Sequence, residues 1–217
     1  MHIADGYLSP LTCAVSYGVA IPLWMVAFKK LKDILDEESL PLIASLSALS
    51  FVIMMFNIPI PGGTSGHALG VAIIAILFGP WVGFLSLSLV LFIQALLFGD
   101  GGLSSFAVNA LGMGFGGAFG AYYTYKLTKR YKFSLFLSGY MSAVVASIII
   151  AFALGLQPYF WVDSEGKPLY FPFDLSVSIP AIVGSHMVFF GVIEGIFTQF
   201  AYKFLVKLEP DFIKEHG

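Results

Sequence analysis

FSLFLSGYMSAVVASIIIAFALG, residues 133–155, is the stretch of sequence from which the fold class of this chain follows. It contains no charged residue, and its apolar residues do not alternate with polar ones. A transmembrane helix needs about 20 consecutive, mostly apolar residues, whereas a transmembrane strand alternates apolar and polar residues. The stretch therefore predicts a helix that spans a membrane.

The composition of the whole chain agrees with this prediction. Of 217 residues, 58% are hydrophobic and only 11% are charged, whereas a soluble domain carries about 25% charged residues. Most of the surface must then face lipid, which only helices and closed barrels tolerate. We predict an all-α integral membrane protein with one transmembrane domain over residues 1–217. Its partner is the lipid bilayer, and we expect no nucleic acid.

Six further apolar segments share the character of this stretch. They lie at residues 9–28, 40–58, 68–78, 80–98, 103–125 and 179–205. Gly79-Pro80 divides the apolar stretch 67–98, which is too long for one span of about 20 residues. We expect residues 68–78 to form either a short span or a half-penetrating segment buried by its neighbours. The pattern predicts a bundle of about seven transmembrane helices.

The basic residues predict the orientation of this bundle. Of the 11 Lys and Arg residues, all but Lys167 lie at the end of the first, the fifth or the last segment or shortly after it. They are Lys29, Lys30, Lys32, Lys126, Lys129, Arg130, Lys132, Lys203, Lys207 and Lys214. Because cytoplasmic loops are enriched in Lys and Arg, we expect the C-terminus in the cytoplasm and the N-terminus outside. His2 and His67 then share the outer face of the membrane.

The first eight residues, Met1-His2-Ile3-Ala4-Asp5-Gly6-Tyr7-Leu8, place an α-amine, an amide and an imidazole close together. The amine, the His2 amide nitrogen and the His2 Nδ1 can close two fused chelate rings around one metal ion. Coplanar nitrogen ligands suit Ni(II) or Cu(II), and affinity falls in acid because the amide must lose its proton. The alternative is an ordinary start residue followed by a chance histidine. The segment lacks the features of a signal peptide, so we expect Met1 to be retained.

His67 lies in a glycine-rich loop, residues 59–67, that is flexible enough to fold over the mouth of the bundle. Irregular backbone at membrane depth is tolerated where it lines a cavity. The alternative is a solvated loop histidine. Because His2 lies on the same face, we favour a metal-binding role for His67. Asp5 is a candidate acceptor that orders the N-terminal turn.

His186 and Glu194 lie eight residues apart in the last segment, close to one helical face. Ionisable groups inside a membrane segment are functional candidates. Both side chains can instead be packing residues that hydrogen bond across helices. The polar side chains available for this are Gln94, Asn109 and Gln199. We favour the structural role for both residues.

Two further sequence features are interpreted as packing features. Gly112-Met113-Gly114-Phe115-Gly116-Gly117 matches a dinucleotide-binding pattern, but it lies inside an apolar segment and follows no strand. Its spacing of Gly112, Gly116 and Gly120 instead predicts a smooth helix face. The single cysteine, Cys13, excludes an internal disulfide and is expected to pack among apolar residues. The sequence also lacks the motifs of metalloproteases, nucleotide hydrolases and voltage sensors.

The first eight residues, the outward loop with His67 and the seven-segment pattern together resemble the CbiM/NikM family. These proteins are the membrane-embedded substrate-binding components of nickel and cobalt transporters of the energy-coupling-factor (ECF) type. The resemblance covers essentially the whole chain, and the motif is specific because it must begin at the first residue. It implies that the N-terminal segment is inserted into the bundle. It also implies that the Met1 amine, the His2 amide nitrogen and imidazole, and His67 ligate the metal.

The resemblance implies a transporter subunit of the prokaryotic cell membrane, not an enzyme. Its substrate would be Ni(II) or Co(II), captured on the extracellular face, and square-planar nitrogen ligands favour nickel. The implied partners are a transmembrane coupling subunit, ATP-binding-cassette (ABC) ATPase subunits and a small accessory membrane subunit.

Three alternatives remain from the sequence. The physiological role can be Co(II) uptake for cobalamin biosynthesis. The chain can be a self-sufficient secondary cation carrier in which His186 and Glu194 form an intramembrane relay. It can also be a scaffold subunit whose glycine faces serve only for docking.

Overall fold

A computed structural model describes residues 1–37, 39–60 and 64–208 of the chain. These residues form seven helices: α1 (Pro10–Lys32), α2 (Ser39–Met54), α3 (Val71–Phe78), α4 (Pro80–Phe98), α5 (residues 106–128), α6 (Ser134–Phe160) and α7 (Leu175–Leu208). Between α2 and α3 lies a small antiparallel hairpin of β1 (Ile58–Ile60) and β2 (Thr64–Gly66). The protein is therefore mostly helical, as predicted. The loop residues 61–63 and Lys214 lie outside the described residues.

Four of these helices, α1, α4, α6 and α7, are long and apolar enough to cross a membrane, and α2 is apolar but shorter. Their outer faces expose large hydrophobic side chains. Examples are Val15, Met25, Leu89, Phe152, Val188 and Phe200. A soluble protein would not expose this many apolar side chains on contiguous helices. The surface is that of a membrane protein.

Two predicted segments differ in length from the observed helices. Helix α2 ends at Met54 instead of continuing to Ile58, because residues 58–60 pair with residues 64–66 in the hairpin. Helix α3 has 8 residues, and all of them are buried. At about 1.5 Å per residue, such a helix covers only part of the roughly 30 Å hydrocarbon core. The length of this helix thus favours the prediction that residues 68–78 form a half-penetrating segment, because the helix is too short for a full span.

Helix α1 lies at the edge of the bundle. The Ser9 side chain caps it by accepting the Thr12 backbone N–H at 3.1 Å, and Pro10 occupies the first turn, where a missing N–H costs nothing. Only three small residues of α1 are buried, namely Cys13, Ala20 and Ala27. The predicted packing role of Cys13 is confirmed. Most of α1 therefore faces outward.

The predicted glycine face of α5 is confirmed as a packing surface. A Cβ atom at Gly112 would lie 2.7 Å from an Ile150 side-chain carbon, and one at Gly120 would lie 3.1 Å from the Val145 Cβ. Both neighbours belong to α6, so the missing side chains let α5 approach α6 closely. Helices α6 and α7 are in similarly close contact at Gly139, whose added Cβ would lie 2.6 Å from the Glu194 carbonyl oxygen.

We expect Gly139→Ala to destabilise the protein by about 1–3 kcal/mol, the usual cost of overpacking, because the new methyl group would push α7 away from α6. Gly184→Ala is the matched control, since a Cβ there meets no atom within 4 Å. Its helix propensity should make it neutral or slightly stabilising. Thermal unfolding of both variants in detergent checks this. Equal melting temperatures for the two variants would contradict the close crossing.

Candidate metal centre

The start of the N-terminal segment, residues 1–3, lies inside the bundle, as the resemblance implied, whereas residues 4–6 are exposed. Met1 and Ile3 are fully buried, and His2 is only 7% exposed. The Asn109 side chain of α5 pairs with the backbone of Ile3: its Oδ1 accepts the Ile3 N–H at 2.9 Å, and its Nδ2 donates to the Ile3 carbonyl at 3.0 Å. The Asn109 side-chain amide thus forms the two hydrogen bonds that a neighbouring β-strand would form with the Ile3 backbone. This pairing gives the buried Ile3 N–H its acceptor, and the Ile3 carbonyl also accepts the Gly102 N–H and the Ser105 hydroxyl, so both backbone groups are satisfied.

Asp5 fixes the turn that follows. Its carboxylate accepts the backbone N–H groups of Leu103 at 3.2 Å and Ser104 at 2.8 Å. The hydrogen bond from the Ser104 side chain is the main reason that the pKa of Asp5 is lowered. Gly102 has to be glycine here, because an added Cβ would collide with Asp5. The predicted role of Asp5 as an acceptor that orders the N-terminal turn is confirmed.

The structure brings His2 and His67 together. Their rings are stacked with centroids 4.6 Å apart and an angle of 24° between the planes. His67 is 1% exposed, so it is not a solvated loop histidine. The Met1 amine donates to the Ser65 carbonyl oxygen and lies 3.4 Å from the Ser65 hydroxyl. The amine and both imidazoles therefore meet beside β2.

The hydrogen bonds of the two rings define opposite tautomers. His2 Nε2 lies 3.3 Å from Gln94 Oε1, and the Gln94 amide is oriented by its own contact to the Phe51 carbonyl at 3.5 Å. Since an amide oxygen only accepts, Nε2 carries the proton of His2 and Nδ1 carries the lone pair. His67 Nδ1 donates to the Ala68 carbonyl at 3.0 Å, so its lone pair is on Nε2.

Neither of these lone pairs has a hydrogen-bond partner among the described residues. His2 Nδ1 lies 3.1 Å from Asp100 Oδ1, but the contact lacks hydrogen-bond geometry, and two acceptors do not attract each other. A buried nitrogen without a donor is rare in a folded protein and calls for an explanation. A metal ion is an electron-pair acceptor that could satisfy both nitrogens.

Burial keeps the nitrogen groups of the site free of protons. It lowers the pKa of the Met1 amine to about 4 and that of His2 to about 3. Burial also holds the pKa of His67 well below its usual range. The pKa of Asp100 shifts upward, again mainly through burial, although the nearby amine opposes this shift. At neutral pH, the amine and both imidazoles therefore present lone pairs.

His186 and Glu194 do not have the predicted partners. His186 Nδ1 donates to the Ile182 carbonyl in its own helix at 2.7 Å, and Glu194 accepts backbone N–H groups of Leu69 and Gly70. The predicted partners Gln94 and Asn109 instead hold the N-terminal segment, and Gln199 is only partly buried. His186 is fully buried, and its Nε2 has no partner among the described residues.

Three residues that shape the site were not assigned to it from the sequence: Gln94, Asn109 and Asp100. The first two were recognised as polar residues in apolar segments, but their partners are more than 90 residues away in the chain. Asp100 lies in the loop between α4 and α5, and no sequence pattern singled it out. Among residues 1–37, 39–60 and 64–208, no group of three or more His, Cys, Asp or Glu side chains lies together to hold a metal. The candidate site depends instead on main-chain nitrogens.

The chain is similar to known metal transport proteins. The family model of the cobalt uptake substrate-specific transmembrane region matches residues 2–212. The fused nickel transport protein NikMN of Rhodobacter capsulatus is 42% identical over 221 residues, which cover 98% of this chain but only 64% of that protein. The cobalt transport protein CbiM of Sorangium cellulosum is 29% identical over 222 residues, covering 98% of this chain and 94% of that one.

A crystal structure described as a truncated transition metal transporter has the same fold. It matches with a TM-score of 0.93 at 42% identity, over 96% of this chain and 99% of that one. Together, the family model and these relatives cover nearly the whole chain. The chain therefore belongs to the CbiM family, the family of the cobalt uptake substrate-specific transmembrane region.

Proposed function

We propose that this chain captures Ni(II) as a transport substrate, with four nitrogen ligands: the Met1 amine, the His2 amide nitrogen, His2 Nδ1 and His67 Nε2. One observation carries the proposal. Two stacked, buried imidazoles each have a ring nitrogen without a hydrogen-bond partner among the described residues, and the proton-free Met1 amine contacts Ser65, two residues before His67. Such a set of nitrogen lone pairs suits a divalent transition metal ion. Members of the family are metal transport proteins, and the chain is not an enzyme.

The charges around the site favour a divalent cation. Capture of the ion with a deprotonated His2 amide would leave one positive charge in a buried place, and an uncompensated buried charge is costly. Asp100, whose Oδ1 lies 3.1 Å from the His2 ring, supplies one negative charge beside it. Amide and carboxylate together balance the ion. With a monovalent cation, the same two groups would leave a net negative charge in the buried site.

Nickel is preferred over cobalt because four coplanar nitrogen ligands suit Ni(II). Co(II) uptake, with cobalamin biosynthesis as its purpose, is the second candidate. It is supported by the description of the family model, which names cobalt uptake. The R. capsulatus relative is named for nickel transport.

We further propose that residues 1–217 form one domain, the substrate-binding subunit of an ECF-type transporter in a prokaryotic cell membrane. The distribution of Lys and Arg supports an outer N-terminus and a cytoplasmic C-terminus. In this arrangement α3 descends part of the way from the outer side, so that seven helical segments enter the membrane. A transmembrane coupling subunit, ABC ATPases and a small accessory membrane subunit would drive release inward.

A self-sufficient carrier with a relay through His186 and Glu194 has less support. Both carboxylate oxygens of Glu194 accept backbone N–H groups, and His186 donates to its own helix. Neither contact forms a chain from one residue to the other. Nickel uptake into liposomes by this chain alone, without an ATPase, would favour the carrier instead.

Blocking the Met1 amine should abolish tight nickel binding. N-terminal acetylation, or an acetylated cleavable extension ahead of Met1, converts the Met1 amine into an amide and should lower the affinity by more than about 100-fold, beyond the usual effect of losing an outer contact. Calorimetry with Ni(II) measures this, and mass spectrometry confirms the state of the N-terminus. Proteolytic removal of a cleavable extension should restore binding. Unchanged affinity in the acetylated protein would exclude the amine as a ligand.

His67→Ala should weaken nickel binding by more than about 10-fold, since it removes one of the four proposed ligands. His186→Ala is the comparison, because that ring is also buried but is not a proposed ligand. We expect a much smaller effect from it. Equilibrium dialysis with metal analysis compares both variants with the wild-type protein. If only His186→Ala loses the metal, the ligand set is wrong.

Nickel binding near pH 7 should release about one proton per ion. Because the pKa of the amine is lowered to about 4 and that of His2 to about 3, both are already deprotonated, and only the His2 amide gives up a proton. The affinity should then fall about tenfold per pH unit on acidification, until protons also compete at the amine near pH 4. Calorimetry in buffers of different ionisation enthalpy counts the protons.

A free Met-His peptide is the matched reference for this count. Its amine, with an ordinary pKa of about 8, is largely protonated at pH 7 and should release a second proton. The same count for protein and peptide would contradict the buried, neutral amine.

A further inference from the structure

The Glu194 carboxylate, in α7, is fully buried and contacts the segment that directly follows His67. Its Oε2 accepts the Leu69 N–H at 2.7 Å, and Oε1 and Oε2 lie 3.0 and 3.1 Å from the Gly70 nitrogen. Hydrogen bonds to an ionised acceptor are about twice as strong as those between neutral groups. These contacts therefore tie the His67 segment firmly to α7.

Glu194 also caps α3 from a different helix. The first N–H groups of a helix lack intrahelical acceptors, and negative charge is favourable at this end. The local cap residue, Gly70, has no side chain that could accept them. It has a φ of 70°, and an added Cβ would lie 3.1 Å from the Ser50 Cα. No side chain fits at position 70, so Glu194 provides the missing acceptor.

The same peptide group connects Glu194 to the His67 ring. The Leu69 N–H and the Ala68 carbonyl belong to one planar peptide unit. Glu194 binds the N–H of this unit, while His67 Nδ1 donates to its oxygen at 3.0 Å. The orientation of the peptide plane thus fixes both the tautomer and the direction of the His67 ring. Carboxylates commonly orient metal-binding histidines, and here a peptide group lies between the two.

We propose that Glu194 is a positioning residue for His67: through the Ala68–Leu69 peptide it holds His67 Nε2 toward the metal. This inference rests on the proposed function, in which His67 is a ligand. Glu194 itself does not touch the ion. It acts on affinity only through His67, and this distinguishes it from a residue that merely stabilises the fold.

The test compares Ni(II) affinities of the full chain with its native N-terminus in wild type, Glu194→Gln, His67→Ala and the double variant. The glutamine has the same shape but directs an NH₂ group at one of the backbone N–H donors. We expect Glu194→Gln to weaken binding by about 10–100-fold, as for other outer-shell partners. In the His67→Ala background, it should have no further effect, because the two changes act on one ligand.

The spectrum of bound Cu(II), used as a probe, gives a readout that a purely structural role would not change. In Glu194→Gln, the three N-terminal nitrogens still bind the ion, but His67 Nε2 is no longer held in place as the fourth ligand. The visible absorption and electron paramagnetic resonance spectra of Cu(II) bound to Glu194→Gln should therefore match those of His67→Ala and differ from those of wild type. Thr198→Val is the matched control: Thr198 is buried one turn further along α7 and should keep the wild-type spectrum and affinity.

Several outcomes would overturn the inference. They are wild-type affinity in Glu194→Gln, a wild-type copper spectrum in that variant, or an equal loss of affinity in the His67→Ala background. If Glu194→Gln does not fold, Glu194→Asp decides: it keeps the charge with a shorter reach, and it should show the His67→Ala spectrum in part. If His67→Ala binds nickel like wild type, the proposed ligand set fails first, and this inference fails with it.

Discussion

The pairing of the Ile3 backbone with the Asn109 amide is the contact on which the candidate site depends. Ordering a chain end costs about 1–2 kcal/mol per residue in backbone entropy, and burying an unpaired peptide group costs about 1–3 kcal/mol more. A terminal segment that met only lipid or apolar side chains would stay outside. Asn109 satisfies both polar groups of Ile3 at 2.9 and 3.0 Å. Apolar burial of Met1 and Ile3 can then hold the segment in place.

Insertion of this segment determines the chemistry of its nitrogens. An exposed amine and two exposed imidazoles would be partly or fully protonated at neutral pH, and protons would compete with a metal ion. Burial reverses this, since a charged group in an apolar environment is costly. The protein therefore spends part of its folding free energy on keeping three lone pairs unsatisfied. That cost is recovered only when an electron-pair acceptor enters the site.

The sequence predicted the parts of this arrangement that depend on local patterns. The apolar segments, the break at Gly79-Pro80 and the shared position of His2 and His67 follow from composition, spacing and charge. The hairpin and the partners of Gln94 and Asn109 depend on contacts between distant parts of the chain, which no local pattern encodes. The π-helical turns Gln94–Phe98, Ala110–Gly116, Ile179–Val183 and His186–Phe190 also went unpredicted. Each begins at, or just after, a buried polar residue, at positions where such turns often serve function.

The two halves of the candidate site are held by different helices. His2 is fixed through Gln94 on α4 and, by way of Ile3, through Asn109 on α5. The segment of His67 is fixed through Glu194 on α7. The stacking of the two rings therefore depends on the position of α7 relative to α4 and α5. The two halves also touch directly, because the Met1 amine donates to the Ser65 carbonyl. A movement of α7 that carried the His67 segment with it would therefore have to break this contact and would separate His67 from the three N-terminal nitrogens.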